Sequence, residues 1–180
     1  MSSSIVIIPT YNEIENVEAI IRAVFDLQKE FHVLIVDDNS PDKTGDCVRS
    51  LQKEFDGKLF LETRMEKSGL GTAYIHGFKW AIAEGYDYIF EMDADFSHTP
   101  SDLLRLLKAC ENGADLAVGS RYKNGVNVVN WPMYRVLLSY GASIYVKLIT
   151  GMRVHDPTAG FVCYKRHVLE AIDLDSVRFV

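Results

Sequence analysis

The chain has 180 residues, enough for one domain with a full core, and its 48% hydrophobic and 24% charged residues are an ordinary balance for a globular protein. A formal net charge of −6 argues against a nucleic-acid partner, which needs a basic footprint; a bound metal can still supply the local positive charge a nucleotide requires. The three cysteines, Cys47, Cys110 and Cys163, lack metal-ligand spacing and read as idle thiols of a reducing compartment.

Met1 to Pro9 lacks the basic region and long apolar run of a signal peptide. No window approaches the ~18 apolar residues of a membrane span. The expected location is cytoplasmic, peripheral at the cytoplasmic face of a membrane at most. Ile5-Val6-Ile7-Ile8 is a short buried strand closed by Pro9, and the spacing of Val17, Ile20, Ile21, Val24 and Leu27 predicts a helix over Ile14 to Lys29. Val33 to Val36 is a second strand. Asp42 to Phe55 reads as a helix with Ser40 or Asp42 as cap, and Lys58 to Glu62 is a weaker third strand. Gly71 to Glu84 is helical. Tyr88 to Met92 is a fourth strand, Ser101 to Glu111 a helix and Ala114 to Gly119 a fifth strand. Beyond a polar, Gly/Asn-rich loop at Tyr122 to Asn130 lie a helix from Val136 to Ile149, a strand at Phe161 to Tyr164 and a helix from Arg166 to Ile172. Strands alternating with helices imply βαβ units and a mostly parallel sheet covered on both faces, an α/β fold without repeat or linker.

Ligands of such sheets bind beyond the carboxyl ends of the strands. There the chain places Pro9-Thr10-Tyr11-Asn12-Glu13, Asp37-Asp38-Asn39-Ser40, Lys67-Ser68-Gly69-Leu70-Gly71, Asp93-Ala94-Asp95 and Gly119-Ser120-Arg121-Tyr122. Two carboxylates two positions apart repel unless a cation or proton lies between them, and hard oxygen ligands suit Mg²⁺ or Mn²⁺ holding a diphosphate. Arg121 and Lys67 supply balancing charge. Each motif has a plainer reading. Asp37-Asp38 suits a helix cap, Tyr11 a half-buried aromatic, Gly69-Leu70-Gly71 a turn with a helix start, and Arg121 a surface ion pair. The glycines lack the spacing of a Walker or dinucleotide loop.

In this order the motifs resemble those of the family 2 glycosyltransferases, and among them the dolichol- or polyprenol-phosphate mannosyltransferases, whose later motif is matched by Asp156-Pro157-Thr158-Ala159-Gly160-Phe161. The resemblance covers essentially the whole chain. It implies a single GT-A catalytic domain over residues 1–180, cut short at the C-terminal side relative to such proteins. The implied activity is transfer of a sugar, mannose from GDP-mannose, to a polyprenyl or dolichyl phosphate at a membrane surface, inverting and dependent on Mg²⁺ or Mn²⁺. The alternative is a family 2 transferase with another nucleotide sugar or a glycan acceptor. The resemblance does not identify protein partners.

By the same resemblance Pro9, Tyr11 and Glu13 contact the nucleoside, and Val36 and Asp38 frame base and ribose. Asp93, Ala94 and Asp95 line the metal–diphosphate site, with Asp95 the firmest metal ligand. Arg121 reaches a donor or acceptor phosphate, Arg135 faces the lipid phosphate, and Asp156 lies on the acceptor side. Ser97 stands where some relatives carry a metal-binding Gln. A phosphate acceptor is already largely ionised near neutral pH, its second pKa being about 6, so no dedicated catalytic His is expected. The helix at Val136 to Ile149, with Arg135 and Lys147 nearby, fits either core packing or a membrane interface. A sugar nucleotidyltransferase would need a Gly-rich basic loop after the first strand, where Pro9-Thr10-Tyr11 stands instead.

Overall fold

The computed structural model describes residues 3–120, 133–151, 154, 156 and 159–177, without the side chains of 135–137. Six strands, β1 (Ser4–Thr10), β2 (His32–Asp37), β3 (Leu59–Thr63), β4 (Tyr88–Glu91), β5 (Leu116–Val118) and β6 (Val162–Lys165), form one sheet in the order β3-β2-β1-β4-β6-β5. The β1–β2, β2–β3 and β1–β4 pairs are parallel, while β6 runs antiparallel to both β4 and β5. The mostly parallel α/β sheet expected from the strand–helix alternation is therefore present.

Side chains alternate across the sheet, as the pleat requires. Val6, Ile8, Val33 and Ile35 meet α1 (Val17–Phe25), α2 (Thr44–Leu51) and α4 (Leu103–Glu111) on one face. Ile5, Ile7, Leu34 and Val36 meet α3 (Leu70–Ala83) and α6 (Arg166–Glu170) on the other. α1 buries Val17, Ile20, Ile21 and Val24, one stripe at helical spacing. At Gly77, α3 comes so close to β1 that an added Cβ would lie 2.5 Å from Ile7 Cγ2. That approach seats the middle of α3 directly on the middle of β1. The helix α5 (Met133–Thr150) differs from the rest. Met133, Tyr134, Leu138, Tyr145, Leu148 and Ile149 are exposed, and Ser143 is buried. Among the described residues, core packing thus does not account for its apolar face.

Two expectations need correction. Pro9 does not close β1, which continues to Thr10. The pairing of β1 with β4 ends at Ile7↔Glu91, whereas Pro9 still pairs with Val36 of β2, so the missing N–H falls where β4 has already peeled away. The first helix begins at Val17 rather than Ile14. The amides of Asn12, Glu13 and Ile14 donate instead to Ser40 Oγ, Thr44 Oγ1 and Asp42 Oδ2, each at 3.0 Å. These bonds tie the loop after β1 to the loop after β2.

Among the described residues no helix is long and apolar enough to cross a membrane. Cys110 and Cys163 are buried, with Cys110 Sγ donating to the Cys163 carbonyl at 3.8 Å, and burial pushes both thiols up. They are inert packing groups, in line with the sequence reading.

Candidate functional site

A cavity of about 330 Å³ lies at the carboxyl ends of β1, β2 and β4. Its walls are Pro9, Thr10, Tyr11 and Glu13 after β1, Asp38 after β2, Lys67, Leu70 and Ala73 from the start of α3 and the loop before it, and Asp93-Ala94-Asp95 after β4. A second hollow of about 460 Å³ lies at the other end of the sheet. There Arg166 is ion-paired to Asp87, and Lys165 and His167 lie 3.6 and 3.3 Å from Asp115. Those side chains are already engaged in holding α6 and β6, and the first cavity is the better candidate.

The structure separates residues that look alike in sequence. Asp37 is a turn-former: Thr10 Oγ1 donates to it at 2.9 Å, and Ser40 donates through its amide at 3.0 Å and its hydroxyl at 2.5 Å. The N-cap of α2 is Lys43 rather than Ser40 or Asp42; Asp42 instead forms the turn just before it, accepting from the amide of Thr44 at 3.0 Å and its hydroxyl at 2.6 Å. Asp38 does neither. Its buried carboxylate receives the guanidinium of Arg64, Nε to Oδ1 at 2.5 Å and Nη2 to Oδ2 at 2.7 Å, and it borders the cavity. Val36 lies two positions before it but is 0% exposed in the core beneath α3, leaving only its backbone for a ligand.

Tyr11 is 37% exposed, and the Lys67 ammonium stands over its ring, 4.1 Å from the centroid. This ring face, rimmed by a cation, offers a stacking surface to a planar group. Glu13 accepts from Asn16 Nδ2 at 2.9 Å, which turns its carboxylate against the cavity wall. Gly69 (φ +99°) precedes α3, so Gly69-Leu70-Gly71 is the turn and helix start of its plainer reading, with Leu70 also facing the cavity.

The Asp93/Asp95 pair is asymmetric. Asp93 is half-buried and takes the Tyr74 hydroxyl on Oδ1 at 2.9 Å. Burial raises its pKa, opposed by the Tyr74 bond and by nearby His98, with Asp95 raising it further. Asp95 is exposed and accepts from the Ser97 amide at 2.9 Å. His98 stacks on Phe161, ring centroids 4.8 Å apart. No cluster of three or more His, Cys, Asp or Glu side chains suited to a metal occurs among the described residues. Two hard carboxylates at a cavity nevertheless fit a Mg²⁺- or Mn²⁺-type ion, which takes one or two carboxylates and completes its shell with water and phosphate oxygens.

Beneath the pair, Glu91 faces Tyr164 and its pKa is pushed up to about 7 by burial, the phenol bond opposing and Asp93 adding to the rise. Unfolded, this carboxyl ionises near 4.5. Below that pH both states hold the proton and no penalty exists. As pH rises from there through about 7, the unfolded chain loses its proton first and stability falls. Glu91→Gln in the metal-free chain should therefore match the parent in urea unfolding at pH 4 and exceed it at pH 8, by about 3 kcal/mol.

Of the other sequence candidates, Arg121 lies outside the described residues, as does the side chain of Arg135, which belongs to the first turn of α5. Asp156 is fully buried, with Ser143 of α5 donating to Oδ1 at 3.0 Å, and it is not among the described residues lining the cavity. Sequence reasoning passed over Arg64 and Tyr74. Neither sits in a chemically suggestive motif, and their partners are 26 and 19 residues away.

The model of the family described as "Glycosyl transferase family 2" matches residues 5–173. The chain belongs to this family. It is 47% identical over 174 residues to a polyprenol monophosphomannose synthase of Mycolicibacterium smegmatis, covering 97% of this chain and 66% of that protein. It is 46% identical to an undecaprenyl-phosphate mannosyltransferase of Micrococcus luteus (95% and 70% covered) and 37% identical to a dolichol-phosphate mannosyltransferase of Pyrococcus furiosus (97% and 49% covered). The chain thus spans about two thirds of its bacterial relatives and half of the archaeal one. A mannosyltransferase of Pyrobaculum calidifontis, solved with GDP-mannose and Mn²⁺, superposes with a TM-score of 0.64 at 19% identity, over 93% of this chain and 46% of that one. A glucosyl-3-phosphoglycerate synthase of Mycobacterium tuberculosis, solved with Mn²⁺ and UDP, reaches 0.69 at 17% identity, over 94% and 59%. At these identities the likeness shows the fold, the GT-A fold of the family's transferases. The resemblance to the family, and to its lipid-phosphate mannosyltransferases, holds.

Proposed function

We propose that this chain is the catalytic domain of a transferase that moves mannose from GDP-mannose to a polyprenyl or dolichyl phosphate, with inversion and with Mg²⁺ or Mn²⁺. The observation that carries this reading is the cavity itself. It has an aromatic face at Tyr11, a fixed carboxylate at Asp38 and the Asp93/Asp95 pair along one wall, in a chain 47% identical to a polyprenol monophosphomannose synthase. A nucleoside fits the Tyr11, Glu13 and Asp38 end. Its diphosphate then reaches Asp93 and Asp95, which would hold the cation. When bound, that cation offsets negative charge on the departing diphosphate.

An oxygen of the acceptor phosphate attacks the anomeric carbon. The new bond forms as the bond to the diphosphate breaks, and the nucleoside diphosphate leaves with the electron pair. The acceptor oxygen carries no proton to remove, so the lack of a histidine poised at the cavity, among the described residues, is compatible with the reaction. Arg121 and Arg135 are proposed to neutralise donor and acceptor phosphates, and Asp156 to support the acceptor side through α5. The exposed Leu, Ile and Tyr side chains of α5, with Lys147 in its last turn, favour a lipid-borne acceptor at a membrane surface over a soluble glycan.

The test is a transfer assay with labelled GDP-mannose, and in parallel UDP-glucose, polyprenyl phosphate and Mn²⁺ or Mg²⁺. Lipid-linked mannose is the expected product. Absence of any lipid-linked sugar from either donor would remove the proposal.

A further inference from the structure

Arg64 is the first residue after β3, and its amide donates to the Asp37 carbonyl at 2.8 Å, one step beyond the β2–β3 pairing. From this anchored backbone the guanidinium enters a nearly closed space, its side chain 13% exposed against 7% for Asp38. It engages both Asp38 oxygens, donates from Nη1 to Thr72 Oγ1 at 2.8 Å, and approaches the Gly69 carbonyl from Nη2 at 3.4 Å. Thr72 in turn donates to that carbonyl at 2.7 Å. One side chain therefore fastens the carboxylate after β2 to the turn that starts α3. The same turn carries Lys67 over Tyr11.

A buried ion pair of this kind adds little net stability over apolar packing, because desolvation offsets the attraction. Stability alone gives a weak reason for it. Its position gives a stronger one, since Asp38 borders the cavity and Arg64 is not among the residues lining it. A two-pronged guanidinium fixes the carboxylate plane, which a lysine's single rotating ammonium does not. Each carboxylate oxygen retains a further lone pair for a ligand donor.

We propose that Arg64 is a positioning residue for donor recognition. It presents the Asp38 carboxylate, fixed in plane, to O–H or N–H groups of a bound nucleoside. This rests on the nucleotide-sugar reading of the cavity.

The experiment is calorimetric titration of the full chain with GDP and Mn²⁺, and separately with UDP, for the parent, Arg64→Met, Arg64→Lys, Asp38→Asn and the Asp38→Asn/Arg64→Met pair. Arg64→Met should weaken GDP binding about 10-fold or more, and Arg64→Lys by less. In the Asp38→Asn background the same Met substitution should change affinity less than about 2-fold, because the group it positions is gone. In transfer assays the donor KM should rise with little change in kcat per folded molecule, whereas a purely structural role would lower the folded fraction and leave KM alone. Parent-like GDP binding by Arg64→Met would overturn the proposal. So would an equal loss with and without Asp38. Should the Met variant fail to fold, a folded Arg64→Lys protein with unchanged GDP affinity would have the same force. A parent chain that binds neither GDP nor UDP would overturn the donor reading itself, and this proposal with it.

Discussion

Asp95→Ala is expected to abolish cation-dependent binding of GDP-mannose, with a loss of at least about 100-fold in calorimetry with Mn²⁺. The side chain is exposed at the cavity wall, and its hydrogen bond is a local one, from the Ser97 amide two residues on. Removing it should leave thermal unfolding within a few degrees of the parent. Asp93 is placed differently, half-buried and held by Tyr74. Its loss strands a buried phenol, so Asp93 variants mix site and fold effects and Asp95 gives the cleaner reading. Parent-like affinity in Asp95→Ala, or an equal loss with cation omitted, would rule out Asp95 as the cation's ligand.

Phe90→Ala should do the reverse and remove the fold along with the site. Phe90 is 0% exposed in β4, with its ring edge-on to Phe31 at 5.5 Å between centroids. Truncation costs about 3–5 kcal/mol in a close-packed core, a large part of the margin of a domain this size. Urea unfolding should show a midpoint shifted well down at an unchanged slope. A loss below about 1 kcal/mol would mean that β4 is not packed as described. Because β4 delivers Asp93 and Asp95, donor binding in this variant should fall with the folded fraction, whereas in Asp95→Ala it falls at full folding.

The core was readable because it obeys short-range rules. Ile5 to Ile8 and Val33 to Val36 are apolar runs too short for helices and buried on both sides, and Val17, Ile20, Ile21 and Val24 share one helical stripe. Element ends were less readable. The amides of residues 12–14 could have continued α1 toward its N-terminus, but side chains 28–31 residues away claim them. Pro9 looked like a stop because its missing N–H matters only where a neighbouring strand is present, and β4 leaves one step earlier. The apolar pattern of α5 could not say what it packs against, since a stripe made for a core and one made for a lipid surface are written with the same residues.

The strand-end carboxylates, Tyr11 and Glu13 were visible in the sequence because an α/β alternation sends the exits of its parallel strands to one edge, and unusual residues at those exits need no coordinates to be grouped. Which aspartate does what was not visible. Asp37, Asp38 and Asp42 lie within six positions of one another, and only the folded chain makes the first a turn-former, the second an Arg64 partner at the cavity and the third a brace between the loop after β1 and the start of α2. The Asp93-Ala94-Asp95 pair likewise became two unequal groups when α3 brought Tyr74 against one of them. The physical reason is common to both cases. Residue type and spacing set what a side chain can bond, while its partner, burial and protonation depend on distant segments packed beside it.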